Sequence, residues 1–262
     1  MGRVFTGYGN IGYVEAGRGD SAPIIFLHGV GSDKSVWRPQ LDHFGRERRA
    51  IAFDYPGYGE SDFAPGAGRD EFAEAILAAM DELGVGQAHV CGLSLGGVVA
   101  IAMYHAAPGR CTSLIIADSF AVHPNGQVIH DRSVAASKAM TMRALAEART
   151  GMLLGTEASD ALRREVIETM AVIDPDAYRL GAAAVWLADQ CGRAAAIDVP
   201  TLILCGIEDG ITPPALSSEL HEIIHNSRLE WLEGSGHLAN LEQPERFNSA
   251  IDRFLSETET RV

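Results

Sequence analysis

The sequence predicts an α/β architecture: a mostly parallel sheet flanked by helices, with a helical segment inserted between two strands. Two observations carry this. Short apolar runs of strand length, each stopped by glycine or proline, recur between stretches of helical spacing, the pattern of a sheet buried on both faces. One long stretch, 122–196, then breaks the rhythm with helical patterns at about 130–154, 159–171 and 175–191 and no strand-like run between them. Residues 1–121 and 197–262 are therefore expected to form the core, and 122–196 a helical cap over the edge of the sheet where ligands bind in such folds.

The elements follow in order. "GYGNIGYVEAG" (7–17) alternates around glycines like a hairpin, and "PIIFLHG" (23–29) is a buried strand ending in a glycine turn. After a polar segment containing Trp37 and Leu41, "AIAFDYPGYG" (50–59) is a second buried strand, stopped by Pro56. Phe72, Ile76, Leu77 and Met80 give a helix over about 69–83. "HVCGLS" (89–94) is a strand, "LGGVVAIAMYHAA" (95–107) a helix and "SLIIAD" (113–118) a strand. Beyond the insertion, "TLILCG" (201–206) and "RLEWLE" (228–233) are strands, and the last helix covers about 243–256.

Composition narrows the function. The 262 residues are 47% hydrophobic and 21% charged, enough for a sizeable core. A formal charge of −14 repels a phosphate backbone, and no basic run opposes it, so nucleic-acid binding is not expected. The four cysteines have no C-x-x-C spacing and read as buried thiols. No segment has the length and apolarity of a membrane span, and the first residues carry no apolar leader core, so a cytoplasmic protein without a membrane partner is expected. A homodimer is left open.

"GLSLG" (92–96) fits G-x-S-x-G and stands between an apolar strand and a helix, the context that motif requires. A serine on so sharp a turn exposes its hydroxyl, and the following helix N-terminus offers free N–H groups to a developing oxyanion. Ser94 is the expected nucleophile. It needs a base and an orienting carboxylate, and both follow later strands: Asp209 in "CGIEDGITPP" and His237 in "GSGHLANLEQP". Asp118, at the end of "SLIIAD", is the rival carboxylate and Glu208 a weaker one; Asp209 is preferred because an Asp-Gly loop presents its side chain. "LHGVG" (27–31) is expected to supply Val30 N–H, which with Leu95 N–H completes an oxyanion hole, and His28 is expected to brace that loop.

Taken together, "LHGVG", "DYPGYGESD", "CGLSLGG", "LILCGIEDGITPP" and "GHLANLEQPERF" resemble the α/β-hydrolase superfamily across nearly the whole chain outside 122–196. The serine motif and the C-terminal third look most like 3-oxoadipate enol-lactonases and related small ester and lactone hydrolases. The resemblance implies a serine hydrolase of aromatic degradation that needs no cofactor or metal and acts on a small-molecule ester, lactone or related acyl substrate. The chain departs where those lactonases carry an Arg-Trp-Phe run, reading "RTGMLLG" (149–155) instead. Carbon–carbon hydrolysis of a vinylogous diketone, as in the meta-cleavage hydrolases, and a broad-specificity carboxylesterase are the alternatives.

Substrate-binding expectations fall on His28, Trp37, Arg132, Arg143 and Trp186, with Arg179 a further cation; the arginines are candidates for a ligand carboxylate. "HEIIH" (221–225) matches a zinc motif but lacks a third ligand at the usual spacing, and the helix carrying it is placed running away from the catalytic edge. Zinc is not expected there.

Overall fold

The structure, a computed structural model, describes residues 2–260 of the chain. Its strands are β1 (Gly2–Thr6), β2 (Gly9–Ala16), β3 (Ser21–Leu27), β4 (Arg48–Phe53), β5 (Ala88–Leu93), β6 (Cys111–Ala117), β7 (Thr201–Gly206) and β8 (Ser227–Leu232). They form one sheet in the order β1-β2-β4-β3-β5-β6-β7-β8, antiparallel at β1, β2 and β4 and parallel from β4 to β8.

Period-2 alternation sends the strand side chains into two apolar clusters. Ile25, Leu27, Ile51, Phe53, Val90 and Ile116 join α2 (Arg69–Glu82) and α3 (Leu95–Ala106) on one face. Ile24, Phe26, Cys91, Leu93, Leu202 and Leu204 meet α1 (Arg38–Phe44) and α11 (Pro244–Glu259) on the other. The parallel register then decides where chemistry is placed. Leu27 pairs with Gly92, Leu93 with Ala117, Ala117 with Leu204 and Gly206 with Leu232, so these strands end together and the loops after them share one edge.

Between β6 and β7 the chain is helical: α4 (Gly126–Ala139), α5 (Met142–Leu153), α6 (Asp160–Ala171), α7 (Pro175–Trp186) and α8 (Cys191–Ala195). The single helix expected over 130–154 is two. Thr141 adopts extended backbone (φ −69°, ψ 155°) and its side chain accepts from Ala144 N–H, capping a new helix instead of continuing the old one. The helix expected to reach 191 stops at Trp186, and the N-terminal hairpin pairs 2–6 with 9–13 instead of lying within 7–17. The polar segment around Trp37 holds α1, which Pro39 helps to start at its first turn.

A buried ion pair ties together the loops after β3 and β4. Lys34 Nζ lies 2.6 Å from Asp54 Oδ2 and 3.0 Å from Glu60, while Asp54 also accepts from Lys34 N–H and Glu60 N–H, both at 2.9 Å. Lys34→Met strands a fully buried carboxylate and is expected to lower unfolding free energy by about 3 kcal/mol. Urea denaturation checks this, with Lys34→Met/Asp54→Asn expected to recover most of the loss.

Candidate active site

Ser94 sits between β5 and α3 at φ 56°, ψ −114°, a left-handed conformation that a side-chain-bearing residue adopts only when its surroundings enforce it. Its N–H donates to Ala117 O (2.9 Å), and its carbonyl accepts from Ser119 Oγ (2.7 Å) and Gly97 N–H (3.0 Å). Small residues permit the turn: a Cβ at Gly92 would run into the Gly96 carbonyl, and one at Gly96 into the Leu27 carbonyl of β3.

His237 follows β8. Its Nδ1 lies 2.8 Å from Asp209 Oδ2, so Nδ1 carries the proton that the carboxylate accepts, leaving Nε2 bare. Asp209 follows β7 and is held by three further donors: Ile211 N–H (2.7 Å) and Thr212 N–H (2.9 Å) to Oδ1, and the Thr212 hydroxyl (2.6 Å) to Oδ2. Burial pushes the Asp209 carboxyl upward, but the facing His237 and the hydrogen bonds from His237 and Thr212 outweigh it and hold it below the usual carboxylate range. Thr212 was not singled out by sequence reasoning, although an aspartate whose side chain turns back on the N–H groups two and three residues on is a known loop signature.

The rival carboxylate is positioned differently. Asp118 is fully buried at φ 46°; its Oδ1 accepts from Gly206 N–H (2.8 Å), and its Oδ2 has no partner among the described residues. Burial, then the nearby Asp209 charge, pushes its carboxyl well above the usual range, because two carboxylates this close do not both ionise readily. Glu208 faces outward and accepts from Thr156 N–H and hydroxyl at 2.8 and 2.9 Å.

The loop after β3 lies against Ser94, a Cβ built on Gly29 falling 3.4 Å from Ser94 Cβ. The Gly29 carbonyl accepts from His28 Nδ1 (2.8 Å), Ser32 Oγ (3.2 Å) and Ser32 N–H (3.4 Å). A trans peptide points its N–H opposite to its C=O, so these three donors aim Val30 N–H the other way. No chain carbonyl takes Val30 N–H or Leu95 N–H among the described residues. His28 is fully buried beside Tyr55 and Tyr58, whose hydroxyls donate to the His28 and Val30 carbonyls at 3.3 Å. Burial lowers its pKa, which keeps the ring neutral with its one proton on Nδ1.

Ser94, His237 and Val30 open onto one narrow cavity of about 30 Å³, whose walls include Arg149, Met170 and Trp186. No hydrogen bond joins Ser94 Oγ to His237 within the chain; the two meet across this space. Trp186 thus lines the cavity, stacked on Phe120 at 5.8 Å. Trp37 does not: it is fully buried in the opposite cluster between Phe26 and Phe247. His28 is fully buried and does not line the cavity. Arg143 is turned outward in a two-pronged pair with Glu168 (2.6 and 2.8 Å), Arg179 is paired with Asp176, and Arg132 lines a neighbouring chamber. Arg149, which sequence reasoning passed over, is the arginine on the cavity wall.

The zinc-like "HEIIH" is split, since α9 (Pro214–Ile223) ends before His225; His221 bonds Ser227 Oγ at 2.7 Å and both histidines are exposed.

Residues 22–244 match a family described as alpha/beta hydrolase fold. Among known proteins, 3-oxoadipate enol-lactonase 1 of Acinetobacter baylyi is 29% identical over 241 residues, 90% of each chain. The (E)-2-((N-methylformamido)methylene)succinate hydrolase of the same organism is 24% identical over 259 residues, 94% of each chain. A thermophilic esterase from Thermogutta terrifontis, solved with malate bound, superposes with a TM-score of 0.91 at 26% identity, covering 98% of this chain and 99% of that one.

The two carboxylates are separable by substitution. Asp209→Asn is expected to cut kcat by roughly 10⁴-fold through loss of the His237 tautomer, whereas Asp118→Asn retains activity of the same order as the unsubstituted enzyme. Because Asp118 is easier to protonate in the folded chain, wild type loses stability as pH rises from the ordinary carboxylate range toward its raised folded value. Asparagine removes that dependence, so chemical denaturation across pH should show the Asp118→Asn advantage growing as pH rises.

Proposed function

The chain belongs to the α/β-hydrolase family, and from that premise we propose that it hydrolyses a small ester or lactone through an acyl-enzyme on Ser94, in the manner of the 3-oxoadipate enol-lactonases. The observation that carries this reading is the 2.8 Å Asp209–His237 bond at the rim of the cavity that Ser94 enters from a strained turn.

In the first step His237 Nε2 takes the Ser94 proton as Oγ attacks the scissile carbonyl. The oxyanion rests on Val30 N–H and Leu95 N–H, the first directed by the Gly29 carbonyl contacts and the second sitting at the positive end of α3. Asp209 keeps the imidazole in one tautomer and stabilises the imidazolium, which then protonates the departing alkoxide or enolate. In a lactone that oxygen stays tethered to the acyl group. Water deprotonated by His237 releases the acid and restores Ser94. Residues 122–196 act as a cap over the core of 1–121 and 197–262, with Trp186, Met170 and Leu153 walling the reacting centre against bulk water. The similarity to the enol-lactonase supports cleavage of a carbon–oxygen bond.

A time course of 3-oxoadipate enol-lactone hydrolysis, corrected for spontaneous ring opening, tests the reading. Wild type is expected to turn over rapidly, and Ser94→Ala to fall by roughly 10⁶-fold, close to background. Activity retained in Ser94→Ala would remove the acyl-enzyme. Inactivity toward the lactone, with Ser94-dependent cleavage of simple aryl esters, would move the substrate elsewhere within the class.

A further inference from the structure

The loop that carries Val30 has little stiffness of its own. Val30 stands between Gly29 and Gly31, outside any helix or strand, and glycine is the residue with the widest backbone freedom. The hydrolase reading asks Val30 N–H to meet a developing negative charge. A donor gives most to such a charge when it is already aimed and does not have to reorient during the reaction.

The stiffness comes from outside the loop. Three successive carbonyls accept from side chains: His28 O from the Tyr55 hydroxyl, Gly29 O from His28 Nδ1 and Ser32 Oγ, and Val30 O from the Tyr58 hydroxyl. The bonds to Gly29 O hold the peptide that carries Val30 N–H. The Tyr58 bond holds the next peptide, and with both planes fixed the backbone of Val30 cannot turn between them.

Tyr58 is itself wedged in place. It is fully buried, Val30 O is the hydrogen-bond partner of its hydroxyl among the described residues, and its ring lies 5.0 Å from His28 and 6.5 Å from Phe72 between centroids. α7 closes over the hydroxyl: a Cβ on Gly181 would fall 2.0 Å from Tyr58 Oη and 2.9 Å from Val30 Cγ2. One turn earlier on α7, the Ala177 methyl lies 3.0 Å from where a Cβ on Gly57 would stand. Two small residues on one helix face thus let α7 press the loop after β4 onto the loop after β3. Tyr58 does not line the Ser94 cavity, so its effect on the reaction passes through Val30.

We propose that Tyr58 is a positioning residue for the Val30 loop and that Gly181 is its seat, so that α7 sets the aim of Val30 N–H. The proposal rests on the hydrolase reading of Ser94 and names what holds the oxyanion donor of that site.

Steady-state kinetics on the whole chain test it, with 4-nitrophenyl acetate and 3-oxoadipate enol-lactone as substrates. Tyr58→Phe removes one oxygen and is expected to lower kcat about tenfold with KM within about twofold of wild type, since a misdirected donor is felt in the transition state and not in the bound substrate. Tyr104→Phe, which removes the hydroxyl bonded to Asp198 near the end of α3, should keep kcat. Gly181→Ala drives a methyl into the Tyr58 hydroxyl and should cost at least as much as Tyr58→Phe. In the Tyr58→Phe background its further cost should shrink, because the atom it strikes is gone. Hydrogen–deuterium exchange adds a readout that needs no turnover: amides of residues 27–36 should exchange about tenfold faster in Tyr58→Phe, and at the wild-type rate in Tyr104→Phe.

A kcat within about twofold of wild type in Tyr58→Phe, or a loss confined to KM, would overturn the positioning role. Losses from Tyr58→Phe and Gly181→Ala that simply multiply would overturn the part given to Gly181. In both cases Ser94-dependent turnover leaves the hydrolase reading intact. Faster exchange at 27–36 in Tyr58→Phe, with neither substrate cleaved by wild type, would do the reverse: Tyr58 holds the loop and the hydrolase reading falls.

Discussion

The backbone packing at Ser94 is the constraint on which the rest of the molecule depends. α3 can begin directly after β5 only because Gly96 lets the helix come up against the Leu27 carbonyl of β3 and Gly92 lets the strand end pass under the Gly96 carbonyl. This contact forces the left-handed conformation at Ser94 and points its hydroxyl out of the sheet. It also brings the loop after β3 against Ser94. A residue with a Cβ at either glycine would separate helix from strand and shift Ser94 against that loop.

The same edge collects buried charge, and the fold manages it by giving neighbouring groups opposite protonation preferences. Asp209 receives four hydrogen bonds and stays ionised; Asp118, a few ångströms away, accepts one and is driven toward its neutral form. One negative charge at His237 is enough to fix its tautomer, and a second would oppose release of the imidazolium proton. His28 follows a parallel rule. A ring that burial keeps neutral has one proton to place, and placing it toward the Gly29 carbonyl leaves the Val30 N–H of the same peptide pointing the other way.

The strands from 23 to 233 along the chain, the serine turn and the two loops that supply Asp209 and His237 were legible in the sequence because each depends on local signals: an apolar run, a glycine stop and a polar residue at the turn. Thr212 was legible in principle, since Asp-Gly-Ile-Thr has the spacing of an aspartate that caps its own loop. Trp37 and Arg143 were misread for a different reason. Whether an aromatic residue or an arginine faces a cavity depends on which partner reaches it first, here Phe247 and Glu168, both far away in sequence. Arg149 was passed over because nothing local marks it; its place on the cavity wall becomes visible only when the helices are assembled. The break between α4 and α5 is an intermediate case, a threonine cap hidden inside an otherwise continuous helical pattern.

Residues 153–155 are fastened to the loop carrying His237. Glu242 accepts from Gly155 N–H at 2.7 Å and from Gly236 N–H at 2.9 Å, while His237 N–H donates to Leu153 O at 2.9 Å. The segment leaving α5 and the loop carrying His237 are therefore one unit. Lifting this end of 122–196 would break two of these hydrogen bonds, Gly155 N–H to Glu242 and His237 N–H to Leu153 O, the charged one at a cost of about 1.5–3 kcal/mol.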